Sequence, residues 1–228
     1  MKHLIWIAIL LVGMQLQSQA QKDGKDLTPK DPKAKAILDE LTEKNKGYNS
    51  IKVSFDYILE NPSQGLNETQ KGEALMKGKE KYVIKMAGRE LYCDGVTIWT
   101  LIPDVELQIN DVPDAGEDDE NLFNPANLFT IYEKGFKYRF EGEENRDGVE
   151  VQIIDLFPTD PKGKQYHTIQ IVVNKAKKQI HSMIVYAKDG NKYIYKLTSF
   201  ETNIAVKDSD FTLDEDNMGD EIDIIDLR

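Results

Sequence analysis

The sequence predicts a mainly-β (α+β) fold: one long, curved antiparallel sheet with two short helices against its apolar face. Three observations predict it. Eleven segments between Ile51 and Phe200 read as strands. The dipeptides Asp94-Gly95, Asp147-Gly148 and Asp189-Gly190 mark tight turns between them. Helices and strands do not alternate along the chain, which argues against a parallel sheet. A sheet of this many strands curls or closes rather than staying flat.

The chain opens on Met1-Lys2-His3 and the apolar run Leu4 to Val12, followed by Ser18-Gln19-Ala20. A positive start, an apolar stretch too short to span a bilayer, and small residues before a cut after Ala20 form a secretory signal peptide over 1–20. No cysteine lies near that cut, so acylation there is not expected. The polar residues 21–30 are a flexible lead-in, and 31–228 form a single domain. The expected product is exported and, in a cell with two membranes, periplasmic.

Asp31-Pro32 is a helix N-cap followed by proline at the first helical position. Ala34, Ile37, Leu38 and Leu41 then form one apolar stripe, and Gly47 ends the helix. From Ile51 the period changes to two, with Ile51, Val53, Phe55, Tyr57 and Leu59 on one side of a strand. Further strands are expected at 70–77, 81–87, 90–93, 96–102 and 105–109. After the acidic run 117–120, Asn124-Pro125 repeats the cap-plus-proline signature. A short helix over 126–134 follows, with Leu128 and Ile131 on its apolar face and Gly135 as its stop. The remaining strands are expected at 136–143, 148–157, 165–174, 179–187 and 191–200, and residues 222–227 add an edge strand.

Composition narrows the function. The chain carries 40 Asp+Glu against 29 Lys+Arg, a net charge of −11, which becomes −12 when Lys2 leaves with the leader. Such a protein repels nucleic-acid phosphate. One cysteine excludes an internal disulfide, and three histidines leave little for a catalytic or metal centre. No phosphate loop, nucleophile elbow or zinc motif is present. His167 and His181 read as surface or sheet-edge residues, and Cys93 as a small strand residue. The expectation is a protein that is not an enzyme and takes no metal or cofactor. What stands out is the aromatic and apolar supply on the strands, which fits either a filled core or a pocket for an apolar ligand.

Several ordered segments carry a resemblance to a known family. They are Lys35-Ala36-Ile37-Leu38-Asp39, Ile51-Lys52-Val53-Ser54-Phe55, Gly72-Glu73-Ala74-Leu75-Met76-Lys77-Gly78 and Lys81-Tyr82. Asp94-Gly95-Val96-Thr97-Ile98-Trp99, Asn124-Pro125 leading to Phe129 through Phe136, and Asp208-Ser209-Asp210-Phe211-Thr212-Leu213 follow in order. Together they resemble the outer-membrane lipoprotein carrier (LolA-like) family, in its Bacteroidetes form. The resemblance implies an incomplete antiparallel β-barrel of about eleven strands, with short helices covering an apolar concave face. It implies a periplasmic carrier that binds lipoprotein acyl chains and shuttles them from the inner to the outer membrane. The implied partners are acylated lipoproteins, an inner-membrane lipoprotein-release transporter and an outer-membrane acceptor, with the carrier a monomer. The acyl chains are expected to meet Phe55, Tyr57, Leu75, Tyr82, Ile84, Met86, Ile98 and Trp99 on the strands, and Leu38, Leu41, Leu128 and Ile131 on the helices. Where better-known members place a lid-latching arginine, this chain has Lys79, which lacks the forked donor geometry. The alternatives keep the fold but change the role: a carrier of pigment or glycolipid precursors, or a lipoprotein-sensing interaction domain.

Overall fold

The computed structural model describes residues 31–78, 80–113, 132, 135–219 and 221–228. The expected leader, the lead-in, most of the second helix with Leu128 and Ile131, and Lys79 lie outside those residues. Helix α1 spans Pro32–Lys46. Six strands follow: β1 (Ser50–Asn61), β2 (Leu66–Lys77), β3 (Lys81–Met86), β4 (Arg89–Cys93), β5 (Thr97–Ile102) and β6 (Glu106–Asp111). Five more form a second meander: β7 (Phe136–Arg146), β8 (Val149–Pro158), β9 (Tyr166–Asn174), β10 (Gln179–Ala187) and β11 (Lys192–Thr202). Two 3₁₀ turns, Asp208–Phe211 and Glu215–Asn217, precede β12 (Asp223–Asp226).

All twelve strands belong to one sheet, in the order β12-β6-β5-β4-β3-β2-β1-β11-β10-β9-β8-β7. β12 and β7 are its two ends and do not pair with each other, so the barrel is incomplete. Each meander folds by local hairpins, and the two join where β11 returns to pair antiparallel with β1. The edge strand expected at 222–227 is β12, but it runs parallel to β6. The long return path across the sheet brings it in alongside β6 rather than through a hairpin.

The start of α1 follows from its sequence. Asp31 accepts hydrogen bonds from the amides of Lys33 and Ala34, at 2.8 and 3.4 Å, with proline at N1. Asp31 also binds the free edge of β7: its own amide donates to the Tyr138 carbonyl and the Phe140 amide donates to its carboxylate at 3.0 Å. One residue therefore starts the helix and ties it to the sheet. Ala34, Leu38 and Leu41 are almost fully buried against Tyr138, Ile154, Leu156, Ile169, Ile171 and Met183. Burying each leucine is worth roughly 1.5–3 kcal/mol, which is what keeps the helix docked over β7–β10.

Candidate functional site

Strand register decides which side chains share the helix-bearing face. On β1, Val53, Phe55, Tyr57 and Leu59 stand opposite Phe200, Leu197, Tyr195 and Tyr193 of β11. A bulge at Thr198 keeps the phase on both sides of it. Across the other edge of β1, Ile51, Val53 and Phe55 meet Met76, Ala74 and Gly72. The face continues through Tyr82, Ile84 and Met86 on β3, Leu91 and Cys93 on β4, and Ile98 on β5.

Helix α1 covers the β7–β10 side of this face. Over β1–β5 the apolar side chains are less completely covered. Tyr57, Ile84, Met86, Leu91, Ile98, Tyr195 and Leu197 are half-buried around a floor of Val53, Phe55, Met76, Tyr82 and Cys93. Tyr195 and Leu197 contact both clusters and form the seam between the covered and uncovered halves.

The seam is aromatic. Tyr57 stacks on Tyr193 with ring centroids 6.4 Å apart and an angle of 12°, and it meets Tyr195 at 5.3 Å. Phe55 meets Tyr195 at 5.9 Å. Such contacts add to simple burial and hold the rings in fixed orientations. Burial, and the neighbouring Tyr193, raise the Tyr57 hydroxyl above its ordinary titration range. Burial pushes Tyr195 up much further. Both phenols stay neutral through the physiological range, so the seam presents no charge.

Gly72 gives Phe55 its place. A Cβ there would lie 2.4 Å from two ring carbons of Phe55, far inside contact distance. The ring therefore packs against the cross-strand glycine, the one glycine of β2.

The expected site residues divide as follows. Phe55, Tyr57, Tyr82, Ile84, Met86 and Ile98 share the helix-bearing face, with Leu38 and Leu41 of α1 above its other half. Leu75 and Trp99 point the other way, since each lies one residue out of phase with its neighbours Met76 and Ile98. Trp99 is buried on the reverse face with Leu107 and Ile109, under Leu213, Met218 and Ile222. Its indole N–H donates to Glu215 at 2.8 Å. Tyr193, Tyr195 and Leu197 of β11 complete the face and were not among the expected residues. Their signal was the alternation Tyr193, Tyr195, Leu197 against Lys192 and Lys196, blurred by Ile194 between the two tyrosines.

A cavity of about 500 Å³ lies beside β1–β4. It is lined by Phe55, Gly72 and Met86 of the apolar face together with charged residues, of which Asp56, Lys71, Glu73, Lys85 and Glu90 sit on reverse-face register positions. Two ion pairs, Lys85–Glu90 at 2.8 Å and Lys71–Asp56 at 3.5 Å, lie along it. Among the described residues, no group of three or more His, Cys, Asp or Glu is placed to hold a metal ion. No helix among them is long and apolar enough to cross a membrane.

Comparisons with known proteins agree with this architecture. An uncharacterized conserved protein from Thermus thermophilus superposes with a TM-score of 0.54 at 10% identity, covering 85% of this chain and 99% of that one. A LolA superfamily protein from Nitrosomonas europaea gives 0.44 at 14% identity, covering 79% and 97%. The lipoprotein LppX from Mycobacterium tuberculosis gives 0.44 at 14% identity, covering 78% and 98%. Only the first exceeds 0.5, and at that identity it speaks for fold alone. No curated protein matches the chain. The sequence model of the family described as outer membrane lipoprotein carrier protein LolA matches residues 86–214, more than half the chain. On that match, and on the open sheet with its docked helix, the chain belongs to the LolA family.

Proposed function

We propose that this protein is a periplasmic carrier that takes up the acyl chains of lipoproteins on the face beside α1 and shuttles them from the inner to the outer membrane. One observation carries the reading: the uncharged, half-buried aromatic and aliphatic surface around Phe55, Tyr57, Tyr193 and Tyr195, beside a docked helix and only partly covered by the described residues. Family membership supports the cargo class, and the leader-like residues 1–20 support the compartment.

The physical need is large. Exposing an acyl chain to water costs about 0.8 kcal/mol per CH₂. A chain of roughly a dozen methylenes therefore costs about 10 kcal/mol to move unaccompanied through water. A carrier must cover such a chain without locking it in a filled core. An open sheet with one half roofed offers apolar contact and an exit on the same face. In this role no bond is made or broken, and the protein acts without catalysis. An inner-membrane release transporter and an outer-membrane acceptor are the partners that the two ends of the journey require.

The test is direct. The protein purified from its own periplasm is extracted for lipid, and the emptied protein is titrated with the fluorescent probe 1-N-phenylnaphthylamine. Bound acylated species and a saturable probe signal displaced by triacylated lipopeptide are expected. Tyr57→Asp with Met86→Asp should abolish both while Trp99 emission stays unchanged. Absence of acyl species and of probe binding overturns the reading. Recovery of a pigment or glycolipid precursor instead of acylated protein would move the cargo to that class.

A further inference from the structure

The sheet ends at β12, and among the described residues nothing pairs with its outer edge. The amides of Asp223 and Leu227 donate inward, to Val105 and Ile109. By the two-residue alternation of a strand, the amides of Ile224 and Asp226 point outward. All four residues of β12 are exposed. Ile224 is 49% exposed, Ile225 38% and the adjoining Leu227 60%, three of the six large apolar residues left in solvent among those described.

Exposed edges are normally blunted by charge, proline or a covering loop. Here the charges have one sign. Residues 203–228 hold nine acids against Lys207 and Arg228. Arg228 is committed to Asp226 at 2.8 Å, and Asp223 has no cationic partner among the described residues. The edge therefore reads acid, apolar, apolar, acid over Asp223-Ile224-Ile225-Asp226.

This pattern selects its occupant. A second copy pairing antiparallel on the same edge must set outward-bonding residues opposite one another, so Ile224 would face Asp226 and Asp223 would face Leu227, leaving each carboxylate against an apolar side chain and bringing two acidic segments together. A strand reading basic, apolar, apolar, basic matches every position, in either direction.

We propose that the outer edge of β12 accepts an extended basic–apolar segment of a partner protein as a further strand of the sheet. Main-chain bonds to the outward groups of Ile224 and Asp226 supply the affinity. Asp223 and Asp226 select lysine or arginine, and Ile224 and Ile225 select apolar residues between them. The edge is distinct from the acyl-binding face, so the proposal stands apart from the identity of the cargo.

The experiment uses the full chain and two labelled octapeptides, one centred on Lys-Val-Val-Lys and the other on Glu-Val-Val-Glu. Binding is read by fluorescence anisotropy, and amide exchange is followed at Ile224 and Asp226. The lysine peptide should bind at least about tenfold more tightly than the glutamate peptide and slow exchange at both outward amides. Ile224→Pro removes an outward N–H but no bond to β6, a substitution that edge strands tolerate. It should weaken the lysine peptide about fivefold or more, the loss expected for one net hydrogen bond, with Trp99 emission unchanged. Asp223→Lys with Asp226→Lys should reverse the preference toward the glutamate peptide. No binding by the lysine peptide, equal binding of both peptides, or binding indifferent to Ile224→Pro and to the charge reversal overturns the proposal.

Discussion

Placing a methyl group at Gly72 tests the geometry of the apolar floor. The new Cβ would sit 2.4 Å from Cε2 and Cζ of Phe55 and 3.1 Å from Cε1. The ring cannot stay where it is. It is only 7% exposed and is held by Tyr195 at 5.9 Å, so it must swing outward or the strands must part. Overpacking of this kind costs about 1–3 kcal/mol. In a Phe55→Ala background the obstruction is gone, and alanine is preferred to glycine in a strand by about 0.5–1 kcal/mol. Gly72→Ala should thus change sign, destabilising the parent and stabilising the Phe55→Ala protein. The coupling between the two substitutions should be about 2 kcal/mol or more. Urea unfolding read by Trp99, which has only Trp6 as company in the sequence, gives each value from the shift in midpoint. Additivity within about 0.5 kcal/mol would refute the reasoning, because residues in contact must couple. Probe binding supplies a second reading, since a ring driven off the floor should obstruct the surface beside Tyr57.

Three further outcomes follow. Leu38→Ala removes a side chain 1% exposed between α1 and the sheet, and should cost about 3 kcal/mol in chemical unfolding, within the range for buried leucines. The Asp31 carboxyl is held below its ordinary 3.8 chiefly by the Phe140 amide, with the Lys33 and Ala34 amides adding to it. Its contribution is therefore complete above pH 3.8 and lost as pH falls through the lower folded value. An NMR titration should show the Phe140 amide shifting in that acidic window, and Asp31→Asn should abolish the shift. Burial raises the Cys93 thiol above its ordinary value, so a disulfide reagent at about pH 8 should label the native protein far more slowly than the urea-unfolded one.

Much of the fold was legible because its signals are local. Asp31-Pro32 and Gly47 bound α1 where capping chemistry places them, and the strand ends fall within a few residues of the expected ones. The sidedness of the site was legible only where one face of a strand is polar. On β1, Lys52, Ser54 and Asp56 leave no doubt about phase. On β5, Ile98 faces the aromatic side while Trp99 is buried on the reverse, so both phases look apolar. The cover that makes Trp99 apolar comes from Leu213, Met218 and Ile222, more than a hundred residues downstream. Leu75 has the same origin: it pairs with the buried Val83 on the reverse face. The part played by Tyr193 and Tyr195 depends on β11 returning to β1, a pairing that no nearby residue announces. The parallel direction of β12 is equally a matter of the route taken by the chain.

The position of β1 also bears on how the molecule is made. Its partners lie at opposite ends of the chain: β2 follows at once, whereas Tyr57 pairs with Tyr195. Closing a loop of that length is entropically costly, and folds governed by such contacts form slowly. A chain emerging amino end first can assemble β1 to β6 and must then wait for β11. Throughout that interval one whole edge of β1, with Phe55 and Tyr57 beside it, is open to water and to other chains. The aromatic surface beside β1 is thus, before maturity, the surface most exposed to premature association, and the newly made chain has most need of protection before its last antiparallel strand arrives.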